Sequence, residues 1–576
     1  MEKLPRRRLA LLTSLMFLLV AGCGTPSSVP STGGAATGAP AQSTGPKRVV
    51  AAIMGDPTTF SYAVSRAGSG GIPGVDALEQ LVNAGLTEPD DKGSLRPQLA
   101  QAVPSIDNGQ WQLFPDGRMQ TSWKIRAGAL WHDGTPVTSD DLAFTVQVGT
   151  DRDIPALGNA AYASIDGVDT PDPSTVIVRW SKPFIQADAM FTYNFAVPLP
   201  KHLLEHAYTD DKANFTQVPY WTQDFVGTGP FKLRDFSRSS YAILVANQNY
   251  ILGRPKIDEV ELRFIPDPNA IIASILAGEV ELTMGRGLSL EQATQVRDQW
   301  PDGKMAVSLN SWLAAYPQML NPTPPIVTDV RFRRALIEAI DRQAMVDTLQ
   351  AGQSAVAHSY VSPNTAEFNV ISTSIVKYDF DVRKAGDALQ DLGYAKGGDG
   401  FFHDAAGQRL GLEIRTTGGD DLQEKTMLSI ADNWQHLGVS VDPVVVPRQR
   451  AADREYRANF PAFEEVRQPN DLTPDSLTRY YGPESALPEN QYRGGNRMRY
   501  QNPELDALIE RFYVTVPKAD REQVLAQIVH HMTDQVIPIG LFYNAGPIMI
   551  GNRLLNVGAG GSQATPAWNA EQWDVR

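Results

Sequence analysis

The chain has 576 residues, with 51 basic and 65 acidic side chains and a formal charge of −14. Such a length exceeds what one core can fill, so two or three domains are expected, and 42% hydrophobic with 20% charged content marks most of it as globular. The acidic balance argues against nucleic acid, whose binding leans on basic patches. The single cysteine, Cys23, excludes an internal disulfide and a Cys-based metal site.

Lys3 and Arg6 to Arg8 precede an apolar run from Leu9 to Val20, too short to span a bilayer comfortably. Residues 1–22 are therefore expected to be an export signal. Its end, Val20-Ala21-Gly22-Cys23, resembles a bacterial lipobox, which implies a mature chain beginning at a lipidated Cys23. Residues 23–47, rich in Gly, Ser, Thr, Pro and Ala, read as a disordered tether. No other segment approaches transmembrane length, so lipid is expected to be the sole anchor.

Folded sequence begins at Arg48 to Ile53, a buried strand by composition. In Ser122 to Val146, Trp123 and Ile125 alternate with Lys124 and Arg126, the period of a half-buried strand. His132-Asp133-Gly134 has turn chemistry. Thr138 and Asp141 then have capping-box spacing before the apolar Leu142, Phe144 and Val146. Gly227-Thr228-Gly229-Pro230 is a poor phosphate loop, since Pro230 lacks an amide donor, and reads as a turn into a strand. Thr328 is expected to cap a helix carrying Phe332, Ala335, Leu336, Ala339 and Ile340. Met427, Ile430, Ala431, Trp434 and Leu437 form a second stripe, ended by Gly438, with a strand over 439–446. A strand is expected over Phe460 to Val466. Asn502-Pro503 starts a helix bearing Leu505, Leu508, Ile509 and Phe512, and Ile537 to Phe542 reads as a closing strand.

Few stretches suggest chemistry. His202-Leu203-Leu204-Glu205-His206 fits the inverted zincin pattern, with two histidines on one helix face and Glu205 as a base. The competing reading is a helix whose leucines pack while the histidines face water; no third ligand is marked. Asp140-Asp141 is explained by a helix start. His132 is expected to be a structural hydrogen-bonder. No Gly-x-Ser-x-Gly is present. Trp312 and Tyr316 suit either core or cleft, and Glu464, Glu465, Arg467 and Asp471 crowd the end of one strand.

About eight blocks, in order, resemble family 5 extracellular solute-binding proteins, the peptide, oligopeptide and nickel receptors of ABC importers. They include Trp131-His132-Asp133-Gly134 with Ser139-Asp140-Asp141, Gly93 to Ala100, Gly227 to Phe231, Val330-Arg331 through Asp341-Arg342, and Ile537 to Phe542. The resemblance spans roughly Arg48 to Gly551. It implies a two-lobed α/β fold of periplasmic-binding-protein type II, cluster C, with an extra subdomain. Lobe I would comprise 48–83, 216–305 and 537–576, the extra subdomain 84–215, and lobe II 306–536. It also implies a monomer without enzymatic activity or cofactor, held by lipid at the extracytoplasmic face of the bacterial membrane. The protein would capture a peptide or peptide-like solute by hinge closure and deliver it to permease subunits.

Ligand-binding residues are expected at Trp312, Tyr316, Glu464, Glu465, Arg467, Asn470 and Asp471. In peptide-binding relatives a carboxylate four residues before a proline pairs with the ligand's α-amino group. Counting back from Pro474 gives Asn470, an amide, which predicts weaker binding of free peptides and leaves Arg467 for an anionic group. The alternatives are a non-peptide solute such as an oligosaccharide or metal chelate, a zinc metallopeptidase using His202, Glu205 and His206, and a surface receptor or chaperone without an importer.

Overall fold

The computed structural model describes residues 45–66, 72–158, 160–193, 195–447, 449–450, 453–472, 474–561 and 564–576. The expected export signal, Cys23 and all but the end of the expected tether lie outside the described residues.

Ten strands make one mixed sheet: β1 (Arg48–Ile53), β2 (Phe231–Ser237), β3 (Tyr241–Ala246), β4 (Glu259–Phe264), β5 (Leu282–Met284), β6 (Gly303–Pro317), β7 (Gly411–Thr417), β8 (Ser440–Val446), β9 (Phe463–Pro469) and β10 (Ile539–Gly551). Their order is β8-β7-β9-β6-β10-β5-β1-β4-β3-β2. β1 lies between two parallel neighbours, β4 and β5. Burial on both faces explains why it reads as a near-continuous apolar run rather than an alternating one.

The sheet serves more than one core. Val49, Ala51, Leu78, Leu262, Met284, Ile548 and Trp573 belong to one cluster. Leu313, Phe332, Ile414, Trp434, Phe463, Ile539 and Phe542 belong to another. The antiparallel pair β6 and β10 runs between them, from Gly303 opposite Gly551 to Ala315 opposite Ile539. Its register shifts between Ser308 and Ser311, and such irregularities bend and twist a strand locally. The expected boundary at 306 lies inside β6, and that at 536 lies just before β10.

A separate four-stranded sheet, in the order Trp111–Leu113, Met119–Lys124, Thr175–Trp180, Ile165–Asp172, packs with helix Ser139–Thr150 around Trp123, Trp131, Trp180 and Phe191. Helix Asp421–Leu437 buries its predicted stripe and ends at Gly438, whose φ of 110° suits glycine. Asn502 caps Pro503–Val514 by accepting from the Glu504 and Leu505 amides. Two expectations are corrected. Asp329, not Thr328, caps Val330–Glu338, accepting from the Arg331 amide at 2.8 Å; Thr328 instead closes a preceding 3-10 turn. β9 begins at Phe463, after Pro461, which has no amide to give a ladder, and continues past Val466 to Pro469.

Candidate ligand-binding cleft

The Trp131 to Asp141 stretch forms a clasp rather than a binding site. The nearly buried Asp141 carboxylate accepts from the Thr138 amide at 2.9 Å, the Lys201 amide at 2.9 Å and Trp131 Nε1 at 3.2 Å. His132 accepts from the Gly227 amide through Nδ1 at 3.2 Å, and its Nε2 meets the Gly229 carbonyl at 3.1 Å. Burial pulls its pKa down to about 4, so the ring is neutral at pH 7. Both glycines are needed because the segment presses on backbone: a Cβ on Gly227 would lie 2.1 Å from the Val82 oxygen, and one on Gly229 2.4 Å from the Val82 carbonyl carbon. His132 is thus the structural hydrogen-bonder expected.

Where the register of β6 and β10 slips, two cavities of about 560 and 1030 Å³ share a wall of Arg286, Leu288, Gln423, Arg467, Asn544, Gly546 and Pro547. Ser308, Asn310 and Ser311 of β6 line the smaller one, as do Tyr62 and Asp76 from the segment after β1. The larger lies between the starts of helices Leu290–Gln299 and Asp421–Leu437. Lys425 bridges its two sides, with Nζ 2.7 Å from Asp421 and 3.9 Å from Glu291.

Arg467 extends from β9 and is held by Asp420 at 2.5 Å, while its amide donates to Gln423 Oε1 at 2.7 Å. Burial weakens the hold of its guanidinium on the proton, Asp420 strengthens it, and the like charge of Arg286 weakens it again. Arg286 follows β5 and is exposed; among the described residues it has no ion-pair partner. Gly285 makes this placement possible. Its φ is 69°, and a Cβ there would lie 2.5 Å from the Gly74 amide.

Of the seven expected ligand residues, Arg467 lines these cavities. Trp312 and Tyr316 are corrected: both are 2% exposed and pack with Tyr360, Tyr480 and Tyr543 in a third core cluster. They sit on the β6 face turned to that core. Glu464 is buried against Arg497, whose Nη2 lies 2.8 Å from Oε2. Glu465 is buried with Oε2 accepting from the Thr416 hydroxyl at 2.8 Å, and among the described residues its Oε1 has no hydrogen-bond partner. Asn470 is fully buried and donates to the Leu309 carbonyl at 2.9 Å, tying β9 to the slipped stretch of β6. It therefore braces the end of the strand. Asp471 accepts from the Ser476 hydroxyl.

Arg286, Gln423, Asn544 and Asp76 were not legible as cleft residues. A charged residue between two glycines directly after an apolar strand end, Gly285-Arg286-Gly287, is the one local signal. Asn544 lies within an apolar strand and gives none.

His202 and His206 are engaged separately. His202 Nε2 lies 2.8 Å from Asp133, and the exposed His206 lies 2.6 Å from Asp210. Glu205 faces Lys201 at 3.7 Å.

The model of bacterial extracellular solute-binding proteins, family 5 Middle, matches residues 96–486. The chain belongs to this family. Oligopeptide-binding protein AppA of Bacillus subtilis is 26% identical over 456 residues, 77% of each chain. Two solved structures show the same two-lobed α/β fold at low identity. NikZ from Campylobacter jejuni, in complex with Ni(L-His), has a TM-score of 0.68 at 21% identity, covering 92% of this chain and 99% of its own. NikA from Brucella suis, in complex with Fe(III)-EDTA, has a TM-score of 0.73 at 16% identity, covering 92% and 100%. This family 5 member is a solute-binding protein and not an enzyme. Among the described residues, no helix is long and apolar enough to cross a membrane.

Proposed function

We propose that the protein is the substrate-binding component of an ABC importer, taking a peptide or peptide-like solute between its lobes and delivering it to membrane permease subunits. The observation that carries this reading is the long strand pair β6 and β10, shared by two cores and slipped in register beside the cavities. Two strands form a hinge about which the lobes can close. The cavity volumes suit a small solute, and the name of AppA supports the peptide class. We take 306–536 as the second lobe, 84–215 as the extra subdomain, and the rest of the folded chain as the first lobe. The working form is a monomer anchored by lipid on Cys23 at the extracytoplasmic face.

The decisive experiment is native mass spectrometry of protein purified from its own host, followed by release and sequencing of whatever co-purifies. Peptides at close to one per chain are the expected result. A co-purifying sugar or metal chelate, with no thermal shift across a di- to pentapeptide panel, overturns the peptide class. Retention of Cys23→Ala protein in the membrane fraction overturns the lipid anchor.

A further inference from the structure

The charged side chains lining the cleft almost all have partners. Arg467 is held by Asp420, and Lys425 takes Asp421 and Glu291. Among the described residues, two remain without an ion pair: Arg286, and Asp76, whose Oδ1 accepts from the Ala77 amide at 2.9 Å. Both line the 560 Å³ cavity, yet they do not pair with each other. Arg286 and Arg467 line both this cavity and the larger one beside it, whereas Asp76 lines the smaller one alone. The cavity therefore carries two guanidiniums on the wall it shares with the larger cavity and one carboxylate, Asp76, off that wall. Neutral hydrogen-bonding groups also line it: Ser308, Asn310, Ser311, Gln468 and Asn544.

Asp76 is partly buried, where an unpaired charge is costly and a ligand of opposite charge recovers that cost, while Arg286 is exposed and open to an anion. Two guanidiniums close together repel, so an anion between them favours the arrangement with the lobes brought together. Burial pushes the Asp76 carboxyl up, and an ammonium beside it would restore the ionised form. Asn470, buried beneath the strand, gives no competing charge.

We infer that the solute is a zwitterion, its carboxylate held by Arg286 with Arg467 and its ammonium group held by Asp76. This rests on the solute-binding reading and narrows it: the amino-end charge comes from the first lobe, on Asp76, rather than from the loop before Pro474.

The test uses isothermal calorimetry with trialanine, its N-acetylated form, its C-terminal amide, and 6-aminohexanoate as a zwitterion without peptide bonds. Wild-type protein should bind a free zwitterion at least tenfold more tightly than either blocked tripeptide. Arg286→Gln should lose at least tenfold for free ligands and cease to distinguish acid from amide. Asp76→Asn keeps the acceptor for the Ala77 amide and should cease to distinguish amine from acetylamide. Unfolding curves of both variants check that they are folded. Crossed loss of the two discriminations supports the inference. Equal binding of free and blocked forms by wild type, discrimination unchanged in both variants, or no binding of any zwitterion overturns it. The peptide reading fails separately, if 6-aminohexanoate binds with both charge dependences and trialanine does not.

Discussion

Asp141 and Glu465 are both carboxylates removed from water, 4% and 1% exposed, but they are opposites in bonding. Asp141 receives two amides and an indole N–H, and its segment locks one part of the chain onto another. Glu465, two residues before Arg467, receives one hydroxyl and leaves Oε1 unpartnered. Asn470 Oδ1, at the end of the same strand, is also unpartnered. Buried polar groups are usually satisfied, and the clasp obeys that rule fully. The strand behind Arg467 does not, so its buried groups remain open to change in protonation. A carboxylate that only holds the fold should matter for stability at every pH; one beside the cleft should matter conditionally.

The largest expected effect is on the clasp. Asp141→Ala strands three donors in the interior, and at about 1–3 kcal/mol for each unsatisfied group the total should reach several kcal/mol. Urea unfolding should show it, with solute affinity little changed in the molecules still folded. A loss below about 1 kcal/mol would mean that the clasp does not secure the fold. Next comes Arg467→Gln, which should cost about tenfold or more in affinity for an anionic solute, the scale of one charged hydrogen bond. Stability should fall little by comparison, because Asp420 is near solvent. Titration calorimetry separates the two effects.

Third, Glu465 sharpens the contrast through pH. Burial raises its pKa well above the ordinary value, with Asp420 and Glu464 raising it and Thr416 and Arg467 opposing. The folded state then holds a proton that the unfolded state has lost. Stability from this group is fully present below the unfolded pKa and falls as pH rises through the window up to the folded pKa. Glu465→Gln should therefore gain stability at neutral pH relative to pH 4 and flatten the profile. An unchanged slope between pH 4 and 8 would show that Glu465 stays ionised in the fold. The smallest effect belongs to the rim. Glu291→Gln removes an exposed pair at 3.9 Å and should change affinity by less than about fivefold, in line with 0–1 kcal/mol for surface ion pairs. A larger loss would make Lys425 a latch.

Much of the local order was legible. Asn502-Pro503, Gly438, and the apolar stripes at Phe332 and Trp434 act through neighbours within a turn or two, so a linear pattern carries them. The His132 and Asp141 turn could be read for the same reason, although its partners at Gly227, Gly229 and Lys201 could not. Thr328 was misread because Asp329, one residue on, caps equally well by composition. The cleft was harder. Arg467 was visible as a charge at a strand end, but Trp312, Tyr316, Glu464 and Asn470 share that strand pair and turn into the core instead. Which face of a strand meets solvent depends on what packs against it, and a pair of strands buried in more than one core shows no alternation to decide by.

The sequence alone determined the order of elements, their caps and the family signature, because each depends on residues close in the chain. Only the tertiary structure brought Arg286, Asp76, Gln423, Arg467 and Asn544 together. They come from three strands, β5, β9 and β10, or the residues just after them, and from two helix starts, separated by up to hundreds of residues, and charge balance in a cleft is a property of neighbours in space.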